Sequence, residues 1–359
     1  MSIQSALQSS PLNINLSKIL NERAMNIGID ELHLYLQTIL NAYGVPNKAA
    51  KITSEILVEG DLRGYKNHGI HRIFQILDGI TKATIKPRAA SCLIKDHLST
   101  AVIDARHSLG YPVGKQAMEL AIAKAKISGL GMVGVINASH LGILSYYAEL
   151  ASASKFLGIV MSTSSAAVVL KGGNKKTFGT NPFSYSIPYH PYPITADFAT
   201  SRVARGTIYE YLEKNISIPS DWAVDRHGSV TTSPEEALMG GLQSMDGGIK
   251  GNLLSLLISV LAGHLIGGEI NPNVTGTRDM RQKPNKGDLF LALNIEAFTE
   301  MRRFEDKTKE LVSFISTQKS AFRIPGSYSH ESIQKFLQKG IEISPQLEEL
   351  FTRHKCLNK

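Results

Sequence analysis

The sequence predicts an α/β protein in which helices flank a β-sheet. Three observations carry that prediction. Residues 29–81 hold apolar side chains at helical spacing, punctuated by Gly and Pro. Between Thr100 and Ser162, strand-length apolar runs alternate with helix-length segments. Hydrophobic residues make up 43% of the 359 and charged residues only 19%, which is enough apolar material for a large buried core.

The elements follow in order. Residues 29–43 set Leu32, Tyr35, Leu36, Ile39 and Leu40 on one helical face, and Gly44-Val-Pro46 stops the helix. Asn47 can cap the next helix, 48–62, whose apolar face holds Ala50, Ile52, Ile56 and Leu57. A third helix covers 70–81. The pattern changes at Lys86-Pro87, and Thr100–Asp104 reads as a strand. An Ala-rich helix over 113–128 ends at Gly129. Residues 131–136 and 157–162 are buried-type strands, with a helix over 142–155 between them. Residues 185–193 read as irregular or edge strand, 194–198 as a strand, 203–213 as a helix and 219–234 as a turn-rich loop. Residues 235–265 are largely helical, broken at Gly247-Gly248. A strand over 288–294 precedes a mainly helical stretch, 295–319, and short helices over 331–339 and 345–354. Residues 1–16 look like a loose tail.

Composition excludes several classes of function. The apolar content rules out a disordered chain. The net charge is +8, but the Lys and Arg residues are scattered, with no basic block and no nucleic-acid motif. Cys92 and Cys356 form neither a disulfide framework nor a metal-ligand spacing, so no metal is expected and a reducing, cytoplasmic compartment fits. The most apolar stretch, 253–266, is interrupted by Ser255, Ser259 and His264 and reads as a buried helix rather than a membrane span. No membrane or nucleic-acid partner is expected.

Four motifs can carry chemistry. The first is Asp61-Leu-Arg-Gly-Tyr-Lys-Asn-His-Gly-Ile-His-Arg72, at a helix–loop–helix junction. His68, between Asn67 and Gly69, can present its ring to a cleft as a general acid. Arg72 can fork a carboxylate, and Arg63 is a second candidate for the same anion. The second is Asn137-Ala-Ser-His-Leu-Gly142, between a strand and a helix, where exposed N–H groups attract phosphate. No Gly-x-Gly-x-x-Gly occupies that turn, so a Rossmann fingerprint fails here. On its own, His140 reads equally well as a structural histidine. The third is the loop 172–182, with Thr180 and two lysines. The fourth is Thr195-Ala-Asp-Phe-Ala-Thr-Ser201, where Asp197 can orient a histidine, bind a ribose or cap a helix.

Taken in order from about Asn47 to Gly326, these motifs resemble the malate/L-lactate dehydrogenase family of oxidoreductases that lacks the Rossmann fold. Gly179-Thr-Asn-Pro182, Ile218-Pro-Ser-Asp-Trp222, Gly247-Gly-Ile-Lys-Gly251 and Arg323-Ile-Pro-Gly326 extend the match. The resemblance implies a mixed sheet in an NAD(P)-binding domain, 91–299. It also implies a helical domain built from 17–90 and 300–359, with 200–270 as a helical subdomain. It implies NAD or NADP as cofactor, a small carboxylate-bearing substrate and a homodimer. Hydride would move to or from C2 of a 2-oxo/2-hydroxy acid or a cyclic 2-imino/amino acid.

By the same resemblance, His68 is the proton donor, with Asn67 and Asp197 positioning it; His140 is the alternative acid/base. Arg72, Arg63 and Thr180 meet the substrate. His140, Leu141, Gly142, Ile143, Leu144, Phe198, Ala199, Arg205, Gly206, Arg323, Pro325 and Gly326 meet the cofactor. Lys175, Lys176, Arg202 and Arg205 are candidates for a 2′-phosphate. The sequence also departs from the family. Asn67 stands where serine is usual, and Thr207, Asn252, Ser259 and Ser327 replace a lysine, a tyrosine and two glutamates. Those changes motivate a second reading, a cofactor-binding protein without turnover.

Overall fold

In the computed structural model, residues 25–276 and 278–356 are described, and the expected tail lies outside them. Helices Ile29–Ala42 and Asn47–Leu62 bury Leu32, Leu36, Ile39 and Leu40 against Ile56 and Leu57. Pro46 takes the cap position expected of Asn47, and no side chain caps that helix. The short turn Lys66–His68 leads through Gly69 into the helix Arg72–Thr81. The chain ends return to the same layer. The strand Ile341–Ile343 pairs antiparallel with Met25–Ile27, and the helix Pro345–Arg353 buries Leu347, Leu350 and Phe351 in the common core.

The central sheet has seven strands, in the order Cys92–Asp96, Thr100–Asp104, Leu130–Ile136, Gly287–Asn294, Phe156–Ser162, Phe183–Ile187 and Ile194–Phe198. Thr100–Asp104 and Leu130–Ile136 run parallel, joined by the crossover helix Gly110–Ser128. All other neighbours are antiparallel. The strand 287–294 wedges between two strands that the local order alone would make neighbours. It thereby closes the crevice a doubly wound sheet would use for a dinucleotide.

Gly131 serves this packing and not a phosphate. A Cβ there would lie 1.8 Å from the carbonyl oxygen of Ala121, so the crossover helix rests directly on the strand. Residues 185–187 belong to an interior strand, and Ile194–Phe198 is the edge.

A smaller four-stranded sheet joins Ala223–Val224, Gly241–Leu242, Val168–Val169 and Lys176–Phe178. Helices Arg205–Glu213 and Pro234–Met239 pack on it around Val168, Ile208, Ile218, Ala223 and Leu242. Residues 200–270 are therefore mixed rather than helical. The expected helix over 235–265 is cut because Leu242 donates its N–H to Ala167 and enters the small sheet.

The helix Ile249–Ala262 covers the other face of the large sheet through Ile258 and Ala262. It is only half buried, and its buried side sets polar groups beside Ile258 and Ala262. Asn252 holds the backbone of Val169 and Lys171, and Ser255 and Ser259 bond Thr200, Asn181 and Asn271. Its apolar side, including Leu253 at 59% and Leu257 at 51% exposure, faces outward. By length and composition alone, 249–266 could cross a bilayer.

Candidate active site

A cavity of about 660 Å³ opens where the Lys66–His68 turn, the 140–144 loop, the end of the 194–198 strand and the start of the 205–213 helix meet. His68 is held by the backbone beneath it. Asp61, 7% exposed, accepts the N–H of Ile70 at 2.6 Å, and burial pushes its carboxyl up to about 7. Gly69 must lack a side chain, because a Cβ would come within 2.0 Å of that carboxylate.

The rings of His68 and His140 stack with centroids 5.1 Å apart. Gly142 donates its N–H to His140 Nδ1 at 2.8 Å, so a neutral His140 carries its proton on Nε2. His68 Nδ1 is buried and has no hydrogen-bond partner among the described residues. Burial first, then the charge of Arg72, holds His68 down at about 3, and the same two causes hold His140 well below the ordinary range. Both imidazoles are therefore neutral at neutral pH. Arg72 is oriented by two acceptors: Nε donates to the Asn67 carbonyl at 2.7 Å and Nη1 to Gln75 Oε1 at 2.5 Å. Burial lowers it to about 10, and it stays charged.

Asp197 lines the same cavity and is engaged at a helix start. Its Oδ2 accepts the N–H of Ser145 at 2.8 Å, at the start of the helix Leu144–Ala153. Burial raises its pKa, and backbone bonds from Ser145 and Leu144 oppose that rise. Of the three roles open to it, the contact in place is the helix cap. Thr180 lines the cavity and exchanges hydrogen bonds with Ser164.

Gly142, Ile143, Leu144, Phe198, Ala199, Arg205 and Gly206 line the cavity with His68, Asn67, Arg72 and His140. Leu141 is core, 2% exposed. Arg63 lies apart because it is buried between two carboxylates, Glu59 at 2.7 Å and Glu149 at 2.6 Å, and lines a second cavity. Arg323, Pro325 and Gly326 also fall outside. Arg323 pairs with Glu331, Pro325 accepts Thr195 N–H, and Gly326 leads into the helix Ser327–Lys339. Lys176 bonds the Leu238 carbonyl instead of facing the cavity. Asn252 and Ser259 do not line the cavity and their hydrogen bonds are structural, whereas Asn67 and Thr207 do line it.

The donor set fits a dinucleotide. The helix Arg205–Glu213 starts at the cavity with no side-chain cap, and Arg202 and Arg205 flank that start. Among the described residues no cluster of three or more His, Cys, Asp or Glu could hold a metal. Sequence reasoning missed Lys66, Ser164, Met245 and Arg278 on the lining. Arg278 lies in an irregular loop, where no periodicity or motif marks it.

A family model described as malate/L-lactate dehydrogenase matches residues 27–350. The malate/(S)-sulfolactate dehydrogenase of Methanothermus fervidus is 38% identical over 325 residues, covering 90% of this chain and 96% of that one. The solved sulfolactate dehydrogenase of Methanocaldococcus jannaschii superposes with a TM-score of 0.86 at 37% identity, covering 92% and 96%. The malate dehydrogenase structure from Pyrococcus horikoshii gives 0.84 at 31% identity, covering 93% and 97%.

Proposed function

Since this chain belongs to the malate/L-lactate dehydrogenase family, and is an NAD(P)-dependent oxidoreductase of that type, we propose that it moves hydride to or from C2 of a 2-oxo/2-hydroxy acid or a cyclic 2-imino/amino acid. One observation carries this reading: Arg72, His68 and His140 converge on one cavity, across from an uncapped helix start.

When bound, NAD(P)H supplies the hydride. Arg72 takes the substrate carboxylate in a guanidinium fork, its plane set by Asn67 and Gln75. That carboxylate offsets the Arg72 charge, the smaller of the two causes that hold His68 down, and so eases protonation of its ring. As C2 gains two electrons, the carbonyl or imine π pair moves onto oxygen or nitrogen. His68 gives its proton to that atom, an effect worth roughly 10²–10⁴ in rate. In the oxidative direction the neutral imidazole takes the proton back. His140 holds the same atom through Nε2–H, and Thr180 borders the substrate. Arg202, Arg205 and the N–H groups near Gly206 receive the cofactor phosphates.

The chain works as a homodimer in this reading, supported by the apolar side of the helix Ile249–Ala262 that no described residue covers.

The test is oxidation of NADH and NADPH with pyruvate, oxaloacetate, phenylpyruvate, sulfopyruvate and the five- and six-membered cyclic imino acids. Turnover with at least one is expected. Tight cofactor binding with no turnover on any of them would overturn the reading.

A further inference from the structure

The turn that carries His68 rests directly on the end of the helix Asn47–Leu62. A Cβ on Gly60 would lie 2.8 Å from the carbonyl oxygen of His68 and 2.9 Å from the Cα of Gly69, so backbone meets backbone there. Tyr65 donates its N–H to the Gly60 carbonyl at 2.8 Å, and Gly64 donates to Asp61 at 2.9 Å, which closes the helix end beneath the turn.

The Asp61 side chain crosses from this seat to the turn. It accepts the N–H of Ile70 at 2.6 Å, and its carboxylate fills the space that a Cβ on Gly69 would need. The bond falls where the turn becomes the next helix, since Arg72 donates its N–H to Gly69 at 2.9 Å and Ile73 to Ile70 at 3.0 Å. His68 and Arg72 each stand two residues from the atom that Asp61 holds. Arg72 Nε is tied to the Asn67 carbonyl as well, so a shift of this backbone moves the proton donor and the carboxylate fork together.

The strength of that hold depends on charge. A carboxylate holds an N–H about twice as strongly as a neutral acceptor does. Burial pushes Asp61 up to about 7, so it changes charge near neutral pH. Lys66, on the turn, acts on it in the opposite direction. On its own helix, Arg63 is taken by Glu59 and Glu149, and Arg72 on the following helix is turned to Asn67 and Gln75. The helices Ile29–Ala42, Gly110–Ser128 and Ser327–Lys339 also pack on this one and add no charge that moves it.

We propose that Asp61 is a positioning residue for the reaction: through Ile70 N–H its carboxylate aims the turn that presents His68 and Arg72, and it loses that hold when it takes up a proton. The proposal rests on the reductase reading above. It makes turnover answer to pH through a group that never meets the substrate.

The test compares kcat of the wild type with that of Asp61→Asn, which keeps the shape and an acceptor but is uncharged at every pH. The substrate is whichever 2-oxo or imino acid turns over. The ratio of the two rates at each pH cancels the titration of groups both proteins share, His68 among them. It should be about 10-fold near pH 8.5 and fall toward one near pH 5.5, with its midpoint near 7 and KM for NAD(P)H unchanged. A ratio of one throughout would overturn the proposal. So would a loss of the same size at every pH, because an acceptor that only supports the fold does not titrate. Hydrogen exchange on the wild type, read by mass spectrometry over residues 66–72 and corrected for intrinsic rates, needs neither the variant nor turnover. Protection there should be about 10-fold greater near pH 8.5 than near pH 5.5. Protection that is the same at both would refute the hold. Failure of every 2-oxo and imino acid as substrate would strike the reductase reading, and the exchange result would still decide whether Asp61 aims the turn.

Discussion

At the scale of single residues, the neutral state of His68 is the feature with most consequence. Burial and Arg72 keep the folded imidazole at about 3, against 6.5 in an unfolded chain. Below 6.5 the unfolded chain takes a proton that the folded protein refuses, so stability falls as pH drops from about 6.5 toward 3. Thermal melts across that window should show the decline, and His68→Gln should flatten part of it. The same variant should lose turnover by roughly 10²–10⁴ while cofactor binding, read by nicotinamide fluorescence, stays near wild type. Full activity in His68→Gln would shift the proton to His140. The motif holding His68 and Arg72 was legible in the sequence because its residues lie within one turn and one helix start. Arg63, in the same motif, was not. Its role depends on Glu149, 86 positions away, which no local pattern reveals.

At the scale of elements, Asp197 links the edge strand Ile194–Phe198 to the start of the helix Leu144–Ala153. A carboxylate at that end satisfies free N–H groups and meets the positive end of the helix dipole. Asp197→Ala should therefore lower stability by about 0.5–2 kcal/mol, as loss of a cap does, measured by denaturant unfolding. A variant that loses activity at unchanged stability would return Asp197 to a direct role beside the histidines. Strands and helices between 100 and 162 were legible because their periodicity is local. The break at Gly241–Leu242 was not, since a two-residue strand leaves no periodic signature. The outward apolar side of the helix Ile249–Ala262 was also hidden. Apolar residues lie on most of its circumference, and Ser255 and Ser259, read as interruptions, face inward.

At the scale of the whole molecule, that outward face is where the proposed homodimer would form. Leu253→Asp paired with Leu257→Asp should convert a dimer to monomers in sedimentation equilibrium, with the melting profile of the isolated chain preserved. A wild-type protein that sediments as a monomer would refute the homodimer. The sheet order has a different consequence, one for how the chain is made. The strand Gly287–Asn294 sits at the centre of the sheet, hydrogen-bonded on both sides, yet it is the last of the seven strands to leave the ribosome. Until it arrives, the strands 130–136 and 156–162 each keep an open edge facing the gap between them. A nascent chain thus carries two unpaired apolar edges while residues 163–286 are made, the condition in which strands recruit wrong partners. The late strand completes the sheet and ends that exposure in one step, so the sheet's cooperativity is bought at the end of translation.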